Sequence, residues 1–188
     1  MVMRKRQTAP GELEQVREFV NTLDITPGDE QLREPEDLRR WLIDRGLGPA
    51  DLRVTRPDLA RAIELREALR AVLVAHTDGQ PAPAEASRKL DQFAARARLG
   101  LRFDEHGGAN VEPAATGVNG ALGRLLTIVH GAIADGSWAR LKGCRDHTCE
   151  WAFYDHTKNR SGTWCNMDTC GNRAKARSYR GRRADGAA

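Results

Sequence analysis

Cys144, Cys149, Cys165 and Cys170 are the four cysteines of the chain, and they fall into two C-x4-C pairs separated by fifteen residues. Two short-spaced thiolate pairs brought together by a hairpin supply the closed tetrahedral shell in which Zn²⁺ is held structurally, with Zn–S about 2.3 Å. Disulfides would need an oxidising compartment. The basic start Met1-Val-Met-Arg-Lys-Arg6 resembles a secretory n-region, but Gln7 to Glu14 supplies no apolar stretch behind it. No run reaches the roughly 18 apolar residues of a membrane span. These features predict a cytoplasmic protein without a membrane partner, its four thiols reduced around one structural zinc. His147, three residues after Cys144, and the more distant His156 are alternative ligands that a complete thiolate shell does not need.

Charge singles out the same region. Residues 140–183 carry 11 Lys and Arg against 4 Asp and Glu, a net +7, whereas the preceding residues are close to neutral. A basic cluster beside a metal site is the footprint expected of nucleic-acid binding, against the plainer reading of a solvated surface. Behind Cys170-Gly-Asn-Arg173 no helix breaker appears until Gly181, so a helix is expected on which Arg173, Arg177 and Arg180 share a face with Lys175 to one side. Arg177, Arg180, Arg182 and Arg183 are the expected DNA contacts, with Lys158 and Arg160 reaching the backbone from a hairpin tip. Arg173 is divided between contacting DNA and bonding the thiolates.

The elements that must position these residues follow from pattern. Trp151-Ala-Phe-Tyr154 reads as a strand, Asn159 to Gly162 as a turn and Thr163-Trp164-Cys165 as the return strand. With the second cysteine pair at a helix start, this is the order of a treble-clef finger. Upstream, apolar residues at helical spacing predict helices from Leu13 to Leu23, behind Pro35, from Thr55-x-x-Asp58 to Asp78-Gly79, from Ala84 to Arg98, and from Asn119 to Ala134. The last should bury Leu122, Leu125, Leu126, Val129 and Ile133, with His130 as a satisfied core histidine. Leu101, Phe103 and Val111 around Glu105-His-Gly-Gly suit a small hairpin, and Ser137 to Gly143 reads as a linker. The expected fold is mainly α, a helical N-terminal domain (1–137) with one small β-hairpin, followed by a treble-clef-like zinc finger of hairpin and helix (138–183) and a disordered tail (184–188).

Polar residues on apolar helices are the remaining candidates. Asn21, Thr22 and Arg66 could line a ligand pocket, with Arg66 anchoring an anion; equally, Asn21 could cap a neighbouring backbone and Arg66 pair with a helix acid. No nucleophile elbow, P-loop, H-E-x-x-H or deaminase motif is present, and four thiolates leave zinc no open position for a catalytic water. An enzyme is therefore not expected.

Cys144-x4-Cys149-x-Trp151, Asn159-Arg160-Ser161 and Trp164-Cys165-x4-Cys170-Gly-Asn-Arg173-x-Lys175 resemble the CGNR zinc-finger family over about 40 residues. Phe19-Val-Asn-Thr22, Leu38 to Trp41 and Leu65-Arg-Glu-Ala-Leu69 resemble the helical domain that precedes this finger in bacterial stress-induced transcription regulators. The resemblance implies zinc on the four cysteines, double-stranded DNA as partner of the C-terminal module, and an N-terminal domain that senses a small-molecule signal or oligomerises. A homodimer would present two fingers to paired half-sites. The rival reading is a zinc-stabilised RNA-binding or protein-interaction module, with Tyr179 stacking on an unpaired base.

Overall fold

The computed structural model describes the backbone of residues 8–185 and the side chains of residues 8–177 and 179. The chain is mainly helical, with three two-stranded antiparallel sheets among the described residues. The N-terminal part is built from α1 (Leu13–Val20), α2 (Pro35–Asp44), α3 (Arg56–Asp78), α4 (Ala84–Ala97) and α5 (Gly117–Ala134). The long α3 starts on a reciprocal box, Thr55 N donating to Asp58 Oδ2 at 2.8 Å, and stops at Gly79, whose φ of +63° is left-handed. α3 packs against α1, α2 and α4, so residues on several of its sides are buried. Its Arg66, Arg70 and Thr77 must therefore find partners inside the protein.

Between α1 and α2, β1 (Leu23–Asp24) and β2 (Asp29–Glu30) form a minimal hairpin, and β3 (Leu99–Phe103) pairs with β4 (Ala109–Pro113) in the register Leu101↔Val111. This second hairpin sits where the sequence places one. On α5, however, the buried stripe runs through Val118, Leu122, Leu125, Val129 and Ala132. Ile133 falls past its edge and is 58% exposed, and His130 is exposed too, so neither takes the core position expected of it.

The segment read as a linker is structured. A 3₁₀ turn at Trp138–Arg140 leads into β5 (Leu141–Gly143), which pairs antiparallel with β6 (Ala152–Tyr154) through Leu141↔Tyr154 and Gly143↔Ala152. Residues 163–165 are thus not the partner of 152–154. They run alongside Arg145, whose N–H donates to Thr163 O at 3.0 Å. The reason lies in Leu141, fully buried and, with Trp138 and Ala152, part of the main apolar core. After a π-helical turn at Met167–Gly171 comes α6 (Asn172–Asp185), which continues through Gly181 and takes in the first two residues of the expected tail; residues 186–188 lie outside the described residues.

Candidate metal centre and nucleic-acid interface

β5 ends at Gly143, which places Cys144 at the mouth of a knuckle closed by Cys149 N and Glu150 N, both donating to Asp146 O, at 2.7 and 3.0 Å. Cys165 arrives on the segment beside Arg145. Cys170 sits in the π turn, whose start is capped by Asn166 Oδ1 accepting from Asp168 N at 2.7 Å and Thr169 N at 3.2 Å. All four thiols are buried and unbridged, and their Sγ atoms lie within 4.8 Å of one another. Cys149–Cys165 and Cys165–Cys170 are 3.6 and 3.7 Å apart. A tetrahedron with Zn–S of about 2.3 Å has edges of about 3.8 Å, so the donor set fits zinc.

The electrostatics ask for the same cation. Hydrogen bonds from Cys149 and Cys165 draw the Cys144 thiol down to about 2; the thiolate so formed pushes Cys149 up to about 12 and Cys165 further up. Four thiolates can coexist in this pocket only around a positive charge. Phe153, Trp151 and Trp164 pack against the cluster. The four cysteines form one closed structural zinc site, while His147 is exposed and His156 Nε2 bonds Thr8 O at 2.9 Å.

Arg173 belongs to this site. Its Nη2 donates to Cys170 Sγ at 3.1 Å and its Nε lies 3.2 Å from Asp146 Oδ2, with the side chain still 43% exposed. Asp146, 2% exposed at its side chain, also lies 3.4 Å from Arg177 Nη2 through Oδ1. Burial alone would push the Asp146 carboxyl up, but hydrogen bonds from Thr148 and the charges of Arg173 and Arg177 hold it below the usual carboxylate range. Lys175 is exposed on α6; the side chains of Arg180, Arg182 and Arg183 lie outside those described.

Lys158 and Arg160 are exposed on a loop organised from beneath by a buried ion pair. Lys142 Nζ donates to Asp155 Oδ2 at 2.8 Å, Arg160 O at 2.5 Å and Gly162 O at 3.0 Å. Asp155 in turn accepts from Thr157 N, Thr157 Oγ1 and Gly162 N. Asp146 and Asp155 were both missed as functional residues. The available signal was a repeated tripeptide, Asp146-His-Thr148 and Asp155-His-Thr157, in which each buried carboxylate closes its own turn through the threonine and binds a cation.

Asn21, Thr22 and Arg66 are all buried, with their polar groups turned to protein partners. Asn21 Nδ2 donates to Ala152 O at 2.9 Å and its Oδ1 accepts from Ala152 N at 2.8 Å, so one amide serves β6 as a neighbouring strand would. Thr22 Oγ1 donates to Phe19 O, and Arg66 Nη1 donates to Thr22 Oγ1 at 3.1 Å and Glu30 Oε1 at 2.8 Å. The cavities of about 490 Å³ beside His130 and about 420 Å³ beside Arg124 lie elsewhere. Through these contacts the three side chains hold β6 and the β1–β2 hairpin, the arrangement of the backbone-capping and ion-pairing alternative. Asn21→Ala should therefore cost about 2 to 4 kcal/mol, since it orphans both backbone groups of Ala152; a urea-denaturation loss under about 1 kcal/mol would contradict this.

Further contacts join the helical part to the finger. Thr77 Oγ1 donates to Gly143 O at 2.5 Å, His76 Nδ1 meets Leu141 O at 2.9 Å, Arg70 reaches Glu150 O at 3.3 Å, and Arg145 Nε pairs with Asp78 at 2.9 Å. A Cβ on Gly143 would meet Val74 Cγ2 at 2.7 Å, so β5 lies hard against α3. No helix among the described residues is long and apolar enough to cross a membrane.

Comparison with known proteins gives two family matches in chain order. Residues 16–135 match the ABATE model, described as "Putative stress-induced transcription regulator", and residues 140–183 match the CGNR zinc finger. A search of curated proteins finds no match.

Proposed function

Since the chain belongs to the ABATE family and carries a C-terminal CGNR zinc finger, we propose that it is a transcription regulator that docks α6 on duplex DNA. The observation that carries this reading is the anchoring of a basic helix, α6, at its first turn by the zinc site, within a segment of net charge +7. A helix held at its base by metal ligands keeps its orientation when exposed cations meet phosphates, which is what groove docking requires. Lys175 projects from α6, and Lys158 and Arg160 from the loop over Asp155 are placed to follow the backbone. In this reading zinc folds and aims the module and takes no part in chemistry, because four thiolates fill its coordination shell. The helical domain carries the finger through Asn21, Thr77 and Arg70, and a second copy would place a second finger on a paired half-site.

The test is selection of random duplex DNA by the zinc-loaded protein, with a chelated sample in parallel at near-physiological salt. A recovered motif that chelation abolishes is the expected result, and its symmetry reports whether two fingers bind together. Enrichment of single-stranded RNA over duplex DNA, or of neither, would overturn the reading in favour of RNA or protein recognition.

A further inference from the structure

We propose that Asp146 is a specificity-determining residue of the finger, an internal stand-in for a nucleic-acid phosphate that holds Arg177 and keeps it from adding to non-specific polyanion binding. The inference rests on the reading of α6 as the DNA-facing helix.

Three observations carry it. Asp146 lies inside the zinc knuckle, two residues after Cys144, with a side chain that water scarcely reaches at 2% exposure. Its Oδ1 is occupied by Thr148, the N–H at 3.3 Å and the hydroxyl at 2.9 Å, while Oδ2 is buried with no aligned hydrogen-bond donor and has only the charge of Arg173, 3.2 Å away, to compensate it directly. Arg177, half exposed at 49%, has its Nη2 3.4 Å from this carboxylate.

The two arginines are not equivalent. Arg173 is held by the Cys170 sulfur as well, so it stays at the metal site whatever Asp146 does. Arg177 has Asp146 as its ion-pair partner, and nothing else described ties it down. Moving Arg177 onto a phosphate would trade a buried counter-charge for a solvent-screened one and leave the carboxylate under-compensated in a dry site. Exposed pairs give little, whereas a buried charge deprived of its partner costs much more, so Asp146 retains the arginine. Four thiolates with Zn²⁺ carry a net −2; adding Asp146, Arg173 and Arg177 leaves the base of α6 at −1. Attraction for phosphate is thereby removed from the base of the helix and left to the positions beyond it.

The experiment measures binding of a random-sequence duplex as a function of salt for the zinc-loaded full chain, Asp146→Asn, Arg177→Gln and the double variant, with zinc content checked in each. Asparagine keeps the bonds to Thr148 and removes the charge. Asp146→Asn is expected to steepen the salt slope by about 0.9 and to raise affinity several-fold near about 0.1 M salt, and the double variant to lose that gain. The proposal thus withdraws Arg177 from the DNA contacts expected from the sequence, because Asp146 holds it in the wild-type chain, and Arg177→Gln alone should leave the wild-type slope unchanged. A slope equal to or shallower than wild type in Asp146→Asn, or a gain that survives in the double variant, overturns the proposal. If Asp146→Asn loses its zinc, Arg177→Gln decides alone, because a fall of about 0.9 there places Arg177 on DNA in the wild type. Elution from heparin separates this proposal from the DNA reading. If no form binds duplex but Asp146→Asn elutes later than wild type and the double variant does not, Asp146 masks Arg177 and only the DNA assignment falls.

Discussion

Stripping zinc with a chelator should lower the thermal midpoint of the whole chain, with the near-ultraviolet signal of Trp151 and Trp164 and the far-ultraviolet helical signal lost together. A structural zinc supplies about 10–16 kcal/mol of apparent folding free energy in isolated fingers, as much as the entire stability of an ordinary domain. Without it the crowded thiols separate and the knuckle 144–149 loses its closure. The damage spreads because β5 and β6 belong to the main core: Trp138, Leu141 and Ala152 are buried in the same apolar cluster as Leu69 and Val72 of α3. Withdrawing Leu141 alone gives up about 1.5–3 kcal/mol. Asn21 and Thr77 would each lose buried partners, at about 1–3 kcal/mol apiece. The sum is several kcal/mol, which for a chain of this size corresponds to a fall of about 10 °C or more. We therefore propose that 1–137 and 138–183, separable in sequence, fold as one cooperative unit. A tryptophan signal that vanishes while the helical melt stays where it was would show instead that the finger folds by itself.

The features legible in the sequence are those whose signals are local. Thr55 with Asp58, Pro35 at a helix start and Gly79 at a helix end each announce a boundary within four residues, and the helices stand where these signals put them. The cysteine spacing announces the metal in the same way. What escaped was long-range. β5 is three residues long with Lys142 at its centre, so it carries no alternation to read; it exists because Leu141 finds a place against α3 and Lys142 finds Asp155. Asn21 is divided in the sequence between lining a pocket and capping a backbone, because a buried amide signals only that it has a partner, and its partner, Ala152, is 131 positions away. Ile133 and His130 were misplaced through the phase of one helix, since Ala132 marks the inner face more faithfully than the larger residue beside it.

The second large effect concerns the loop that presents Lys158 and Arg160. Asp155→Ala is expected to cost about 3–5 kcal/mol, because it leaves the Lys142 ammonium, 6% exposed, without its counter-charge. It also frees the N–H groups of Thr157 and Gly162 that the carboxylate now holds. Burial works to raise the Asp155 carboxyl, but Lys142, Thr157 and Gly162 together bring it to about 2, against an ordinary 3.8. A folded-state pKa below the unfolded one means stability that is complete above about pH 4 and lost as pH falls toward 2, worth about 2 kcal/mol. Urea denaturation of the zinc-saturated chain at neutral pH measures the substitution directly, and a loss under about 1 kcal/mol would show that the pair does not hold the loop. Gly162→Ala approaches the same carboxylate from the other side, since the added Cβ would meet Asp155 Cγ at 2.8 Å, and should weaken the same loop while leaving both charges in place. If the loop works as a backbone contact, both variants should weaken duplex binding more than Lys158→Ala alone. Each displaces Lys158 and Arg160 together, whereas the single substitution removes one cation from an intact scaffold.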